Sequence, residues 1–309
     1  MQKRLTSIDS SLLSSIVDIK RLRKGAYNIR KDGKGIERKI NEYVNIESKE
    51  EGKGINIYVK ENTPFVIVDI PVLITESGLT DVVYNDFFIG KNASVTIVAG
   101  CGINNPHHKD SRHDGIHRFF IEDNASVKYI EKHYGEGVGS GKRILNPTTE
   151  VTLHDNAFMT METSQIKGVD DTNRVTKATL STGSTLIINE KIFTSNNQKA
   201  TTSFNIEFNG DNSSSHVTSR SVAEMDSYQE FKSNMTGNSL CYGHVECDAI
   251  IKDNGKVKSI PQIYAKNVDA SLVHEATIGK IAGEQFIKLM SLGLSASEAE
   301  QTIINGFLK

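Results

Sequence analysis

The 309-residue chain carries 36 Lys and Arg against 38 Asp and Glu, a net charge of -2 with no dominating basic block, which gives no electrostatic case for nucleic acid or an anionic membrane. No apolar run is long enough for a membrane span, and Asp9 and Asp18 interrupt what could have been the apolar stretch of a secretory leader, so the chain reads as soluble and cytoplasmic. Three cysteines, Cys101, Cys241 and Cys247, are an odd count in a chain long enough to bury a sizeable core, which argues against a disulfide framework and for free thiols or metal ligands.

Leu12, Leu13, Ile16, Val17 and Ile19 stand at helical spacing and predict a helix over 7–23, with Ser7 or Asp9 as N-cap and the basic stretch Lys20 to Lys24 as its solvated end. Between about Ile55 and Val273 helical periodicity disappears and Val, Ile and Thr recur. Asn92-Ala-Ser-Val, Asn124-Ala-Ser-Val and Asn156-Ala-Phe-Met repeat at two successive intervals of 32 residues, with looser copies near Thr182, Asp211, Thr236 and Val268. Each copy sets a polar turn before an alternating strand. Strands that recur without crossover helices must stack on one another, which predicts a β-solenoid. After Thr277 the period changes: Ile281, Phe286, Leu289 and Met290 form an apolar helical face, Gly293 suits a left-handed stop, and Ser295 with Glu298 makes a capping box for a second helix through Ile303, Ile304 and Phe307. The expected organisation is a helical capping segment over 1–50, a solenoid core over 51–275 and a helical hairpin over 276–309. The hairpin either seals the last rung or offers an apolar face to a partner.

Thiolate, imidazole and carboxylate concentrate in Cys241-Tyr-Gly-His244-Val-Glu246-Cys247-Asp248 and in His274-Glu275, the ligand types that hold iron, zinc or an iron-sulfur cluster. Cys241 and Cys247 fall on one face of a strand but about 20 Å apart when extended, too far to share one ion. Further ligands must come from another rung or another chain, and His274 and Glu275, one repeat later, are the natural candidates. The competing reading is a buried structural cysteine beside a satisfied polar pair. His107, His108, His113 and His117, with Asp110 and Asp114, form a second possible cation site, although Asp114-Gly115-Ile116 reads as a turn entering a strand. Glu131, Glu162 and Glu190 fall after three repeated strands and predict a carboxylate ladder, either solvated or fit for acid/base work on a saccharide. Gly135 to Arg143 imitates a phosphate loop but has Glu136 where a glycine is needed and Arg143 where Ser or Thr would hold magnesium, so it reads as a flexible connection between rungs.

Several separated motifs then fall in a recognisable order. Glu246-Cys247-Asp248-Ala-Ile-Ile, Pro261, His274-Glu275-Ala-Thr-Ile-Gly-Lys280, Leu289-Met-Ser-Leu-Gly293-Leu and Asn305-Gly-Phe resemble the SufB/SufD family of iron-sulfur cluster assembly scaffolds. Upstream, Ala99-Gly-Cys101-Gly-Ile, His113-Asp-Gly-Ile-His117-Arg and Ser219-Arg-Ser221-Val-Ala look like its short, archaeal-type branch, so the resemblance covers most of the chain. It implies a right-handed parallel β-helix with terminal helices, a SufC-type ABC ATPase as partner, and a non-enzymatic scaffold carrying a transient iron-sulfur cluster. It further implies that Cys247 accepts sulfur and ligates the nascent cluster beside His274 and Glu275, with Cys241, His244, Glu246 and Cys101 as accessory candidates. The tail bearing Phe286, Leu289, Met290, Ile303 and Phe307 is similar to the ATPase docking site. The chain begins without the N-terminal extension of longer SufB proteins and keeps Cys247, which SufD-type subunits need not have; a homodimer through the β-helix is therefore expected, its symmetry supplying the missing ligands. The alternatives are a β-helical carbohydrate-active enzyme, for which the chain has no Trp to line a sugar groove, and a metal-free interaction protein.

Overall fold

The computed structural model describes residues 6–18 and 25–309. The basic stretch and the end of the expected N-terminal helix, residues 19–24, lie outside the described residues. The opening strands are β1 (Ala26–Lys31), β2 (Lys34–Lys39), β3 (Val44–Ser48), β4 (Gly54–Val59), β5 (Val66–Asp69), β6 (Val72–Ile74) and β7 (Thr80–Ile89). The regular rungs follow as β8 (Ser94–Asn104), β9 (Ser111–Ile121), β10 (Ser126–Glu136), β11 (Arg143–Leu145), β12 (Thr148–Leu153), β13 (Phe158–Lys167) and β14 (Asp171–Leu180). They continue through β15 (Thr185–Thr194), β16 (Lys199–Phe208), β17 (Ser213–Ala223), β18 (Tyr228–Gly237), β19 (Cys241–Ile251), β20 (Lys256–Ala265) and β21 (Ala270–Gly279).

From β7 onward the chain alternates between two sheets. One runs β8-β10-β13-β15-β17-β19-β21 and the other β7-β9-β14-β16-β18-β20, with β11 and β12 together spanning one rung of the second. These rungs pair in parallel, as in β17 with β19 and β19 with β21. The fold is therefore the parallel β-solenoid expected from the repeats. Inward positions alternate with outward ones along each strand, and the inward aromatic and aliphatic residues stack from rung to rung: Phe87 lies on Phe119 at 4.3 Å between ring centroids.

The turns explain the repeated asparagine. Asn92, Asn124 and Asn156 adopt left-handed backbone with φ of 56°, 57° and 56°, a conformation asparagine tolerates better than most residues, and they bring Ser94, Ser126 and Phe158 into register. Met225 occupies the same conformation at φ 56° with no such aptitude. Met225→Asn is expected to stabilise the chain by about 0.5–1 kcal/mol, read as a higher denaturant midpoint at unchanged slope. A lower midpoint would show that the thioether contact to Ser195 outweighs the backbone term.

The first 50 residues are not only helical. They contribute β1 and β2, an antiparallel hairpin turning at Asp32-Gly33 with φ of 46° and 76°, and β3, antiparallel to β4. Helix α1 (Ser7–Ile16) is capped by Thr6 rather than Ser7 or Asp9: the Thr6 hydroxyl accepts from the Asp9 amide, and the Asp9 carboxylate accepts from the Thr6 amide at 2.7 Å. Leu12, Leu13 and Ile16 pack on Leu73 and Val98 on the outer face of the first sheet. Gly100 permits this approach, since a Cβ there would lie 2.6 Å from the Ile16 Cβ.

At the other end α2 (Gly283–Ser291) stops at Gly293, φ 98°, and α3 (Ala296–Phe307) begins in the Ser295–Glu298 capping box, as the sequence predicts. Ile304 and Leu308 seat the hairpin on Val222, with Phe193, Ile250 and Phe307 around them, again on the outer face of the first sheet. The hairpin does not seal the last rung. Ile263 on β20 and Ile278 on β21 occupy inward positions, yet they are 41% and 37% exposed, so among the described residues the solenoid ends with its core open. The glycine-rich segment is also no loose connection: Gly139 and Gly141 lie flat on the chain below, where a Cβ would come within 2.0 Å of the His107 backbone and 2.2 Å of that of Lys109.

Candidate functional site

Strand alternation sorts the inward residues of the first sheet into columns that run along the solenoid. One is apolar until its last rung: Tyr129, Met161, Ile188, Val217, Val245 and then His274. Its neighbour turns polar: Ala99, Glu131, Thr163, Glu190, Ser219 and then Cys247, with Ala276 last. Cys247 therefore closes a row of buried polar side chains one rung from the open end.

The row is held by a cation from the facing sheet. Arg174 is 3% exposed and donates to Glu131, also 3% exposed; its Nε stands 3.6 Å from Glu190, and Nη2 lies 3.4 Å from His133 Nδ1. Burial pushes the Glu131 carboxyl up, but Arg174 and His133 overcome this and hold it well below the usual range. Glu190 accepts hydrogen bonds from Thr202 at 3.0 Å and Ser219 at 2.8 Å, yet burial dominates and raises its carboxyl. None of these roles was legible in the sequence beyond the glutamates themselves. Arg174 and His133 become conspicuous only once the register is known.

Cys247 is 2% exposed and free, and burial pushes its thiol up to about 11, the nearby Ser259 hydroxyl offsetting this in part. His274 sits diagonally across from it on β21, where diagonal neighbours in a sheet stand about 7–8 Å apart. Its Nδ1 meets the Ser233 hydroxyl at 3.3 Å, and its Nε2 is buried without a partner. Burial, then the nearby His244, lower its pKa, so the ring is neutral at pH 7 with a nitrogen available to a metal. Glu275 points to the outer face, in register with Glu246 and 3.6 Å from His244 Nε2. The sequence-predicted set is thus divided by the sheet: Cys247 and His274 share the interior, whereas Glu275, His244 and Glu246 lie together outside. Cys241 faces inward and is buried, three inward positions before Cys247 on the same strand.

His113 and His117 lie within β9 rather than at a turn, and both face inward. His113 Nδ1 meets Asp81 at 3.2 Å and His117 Nδ1 meets the Tyr129 hydroxyl at 2.7 Å, while the Nε2 atoms of both rings face Gly115, His117 Nε2 lying 3.3 Å from the Asn85 side-chain amide. Burial holds His117 neutral, lowering its pKa to about 4. Cys101 lies on this part of the interior too, across from His133 in register, and burial raises its thiol far above the ordinary value. His107 and His108 are exposed in the following loop. The glutamate ladder does not form. Glu131 and Glu190 are interior and separated by Thr163, while Glu162 is one position out of phase, faces outward and pairs with Lys128 at 2.7 Å. With both interior carboxylates buried and hydrogen-bonded, no sugar-cleaving pair is assembled. Among the described residues Glu122, Asp123 and His154 also lie within 4.8 Å of one another, but the Lys91 ammonium already occupies Asp123 at 2.8 Å.

The domain model described as SUF system FeS cluster assembly, SufBD core domain, matches residues 75–307, which is most of the solenoid and the terminal hairpin. The chain belongs to the SufBD family. It is 30% identical over 271 residues to an iron-sulfur cluster assembly SufBD family protein of Pyrococcus horikoshii, covering 85% of this chain and 79% of that one. A SufBD family protein of Methanocaldococcus jannaschii is 26% identical over 292 residues, 92% of this chain and 90% of its own length. Against the iron-sulfur cluster assembly protein SufB of Bacillus subtilis, 32% identity extends over 102 residues, 32% of this chain and 22% of that protein. SufBD membership supports a role in iron-sulfur cluster assembly. No described helix is long and apolar enough to cross a membrane.

Proposed function

We propose that this SufBD protein is a non-enzymatic scaffold on which iron and sulfide assemble into a transient cluster held by Cys247 and His274. One observation carries the reading: a buried thiol and an unpartnered imidazole nitrogen share the interior of the last two rungs, beside the open end of the solenoid. Thiolate and imidazole are apt iron ligands, and two of them leave a coordination sphere incomplete enough to release its cargo. The free edges of β20 and β21, with Ile263 and Ile278 beside them, suit a second copy of the chain, which would cover the open core and bring a second Cys247 and His274 to the seam. Glu275 lies on the outer rim of that seam and contributes from outside. The apolar residues that the hairpin leaves exposed, Ile287, Met290 and Leu292, with Phe286 and Leu289 partly covered beside them, provide the docking face for a SufC-type ABC ATPase. Ile303 and Phe307 support that face from α3, Phe307 through its contact with the Val222 cluster.

The reading gives an order of effects. Anaerobic reconstitution with ferrous iron and sulfide should give less bound iron per chain in His274→Ala than in Glu275→Ala, because only the imidazole shares the interior with Cys247. Equal retention in wild type and His274→Ala would remove the imidazole from the site.

A further inference from the structure

The outer face of the first sheet is clothed at both ends and bare between. α1 covers it around Val98 and Ile130, and α3 covers it around Phe193, Val222 and Ile250. The floor left between them is a cleft of about 650 Å³, inside the range of about 300–1,000 Å³ of small-molecule sites. Its surface changes character where the helices stop. In place of apolar residues the outward column reads Lys132, Ser164, Lys191 and Arg220 on four successive rungs, and all four line the cleft. Rungs are about 4.8 Å apart, so side chains of this length converge over the same spot.

The charges there do not balance. Glu162 lines the cleft but is held by Lys128 at 2.7 Å, which leaves Glu246 on the floor and Asp248 beside it as the outward carboxylates without a partner among the described residues. Against them stand Lys132, Lys191 and Arg220. Lys191 already donates to the main-chain oxygen of Lys309, the last residue of the sequence, and is the committed cation of the three. Among the described residues neither Lys132 nor Arg220 has a hydrogen-bond or ion-pair partner, although Arg220 is partly buried. Asp248 follows Arg220 in the same column without pairing to it. A half-buried guanidinium with a flat row of donors and no acceptor is built to receive a tetrahedral or planar oxyanion. Ser164 and Thr218 add hydroxyls on either side.

We propose that this cleft binds the dianionic head of a phosphate monoester, with Arg220 as the two-pronged contact and Lys132 and Lys191 as flanking charges. Lys132 and Arg220, the two cations without an acceptor among the described residues, favour an anionic ligand, and the cleft's volume leaves room for an organic body beside the phosphate. The site is separated by the thickness of the sheet from Cys247, so it is independent of the cluster reading.

Inorganic phosphate, titrated calorimetrically into the full chain at low ionic strength, is the test. It should bind saturably at one per chain, about tenfold more weakly in Arg220→Ala and unchanged in Lys177→Ala, whose ammonium lies on the opposite sheet. Arg220→Lys keeps the charge and should fall between the two, which separates the fork contact from simple attraction. Absence of saturable phosphate binding, equal affinity in wild type and Arg220→Ala, or tighter binding of malonate than of phosphate would each overturn the assignment. Circular dichroism of each variant confirms that the solenoid is intact before the heats are compared.

Discussion

Arg174→Met is expected to destabilise the solenoid by about 3–5 kcal/mol, because it strips the cation from two buried carboxylates and leaves both without charge compensation. Glu131 and Glu190 stand one rung to either side of Thr163, and Arg174 reaches both from the facing sheet. The two carboxylates respond differently to their own removal. Glu131 is held below its ordinary value of 4.5, so its contribution is present above pH 4.5 and is lost as pH falls through the lowered value. Glu190 is raised above 4.5 by burial, so the folded state retains its proton more tightly; that contribution is full below pH 4.5 and disappears as pH rises through the raised value. Glu131→Gln should therefore destabilise at neutral pH, whereas Glu190→Gln should be tolerated or mildly stabilising. Denaturant melts of the three variants at pH 7 check the order. An Arg174→Met protein as stable as wild type would mean that water, rather than the guanidinium, supports the carboxylates.

Cys247 should alkylate about 100-fold more slowly in the folded chain at pH 8 than an ordinary thiol. Raising the thiol from 9.0 to about 11 cuts the thiolate fraction by that order. The rate should climb with pH to about 11 and become ordinary in denaturant. The same shift makes the folded state the tighter proton binder, so the stability linked to Cys247 is intact below pH 9 and is lost as pH rises from 9 towards 11. Metal binding at this thiol would displace the proton, so iron uptake there is expected to release acid and to strengthen with pH. Mass spectrometry of the peptide bearing Cys247, compared with those bearing Cys101 and Cys241, gives the rate site by site. Fast labelling at pH 8 would show that the end rung admits solvent and that burial does not raise the thiol.

The repeat was legible because it is written in residues that the backbone demands. Asn at the left-handed turn recurs at 92, 124 and 156, and the strands between alternate cleanly. The terminal helices were legible for a similar local reason, since Ser295 and Glu298 form their capping box unaided. What escaped were relations between rungs. A one-residue phase difference sends Glu162 outside while Glu131 and Glu190 stay within, and only the pairing register fixes that phase. The same period of two splits His274 from Glu275, adjacent in sequence and on opposite faces of β21. Asp32-Gly33 between Lys31 and Lys34 was a local hairpin signal that the helical expectation for the first 50 residues overrode. Arg174 carried no signal, because its partners are supplied by a different sheet.

The central claim is that Cys247 holds the nascent cluster at the open end of the solenoid. Anaerobic reconstitution of wild type and Cys247→Ser with ferrous iron and sulfide, followed by desalting and visible absorption with iron and sulfide analysis, tests it most directly. Wild type should retain both elements with the charge-transfer absorption of an iron-sulfur cluster, and Cys247→Ser, folded by circular dichroism, should retain neither. A folded Cys247→Ser chain that keeps the same spectrum and the same iron would contradict the claim.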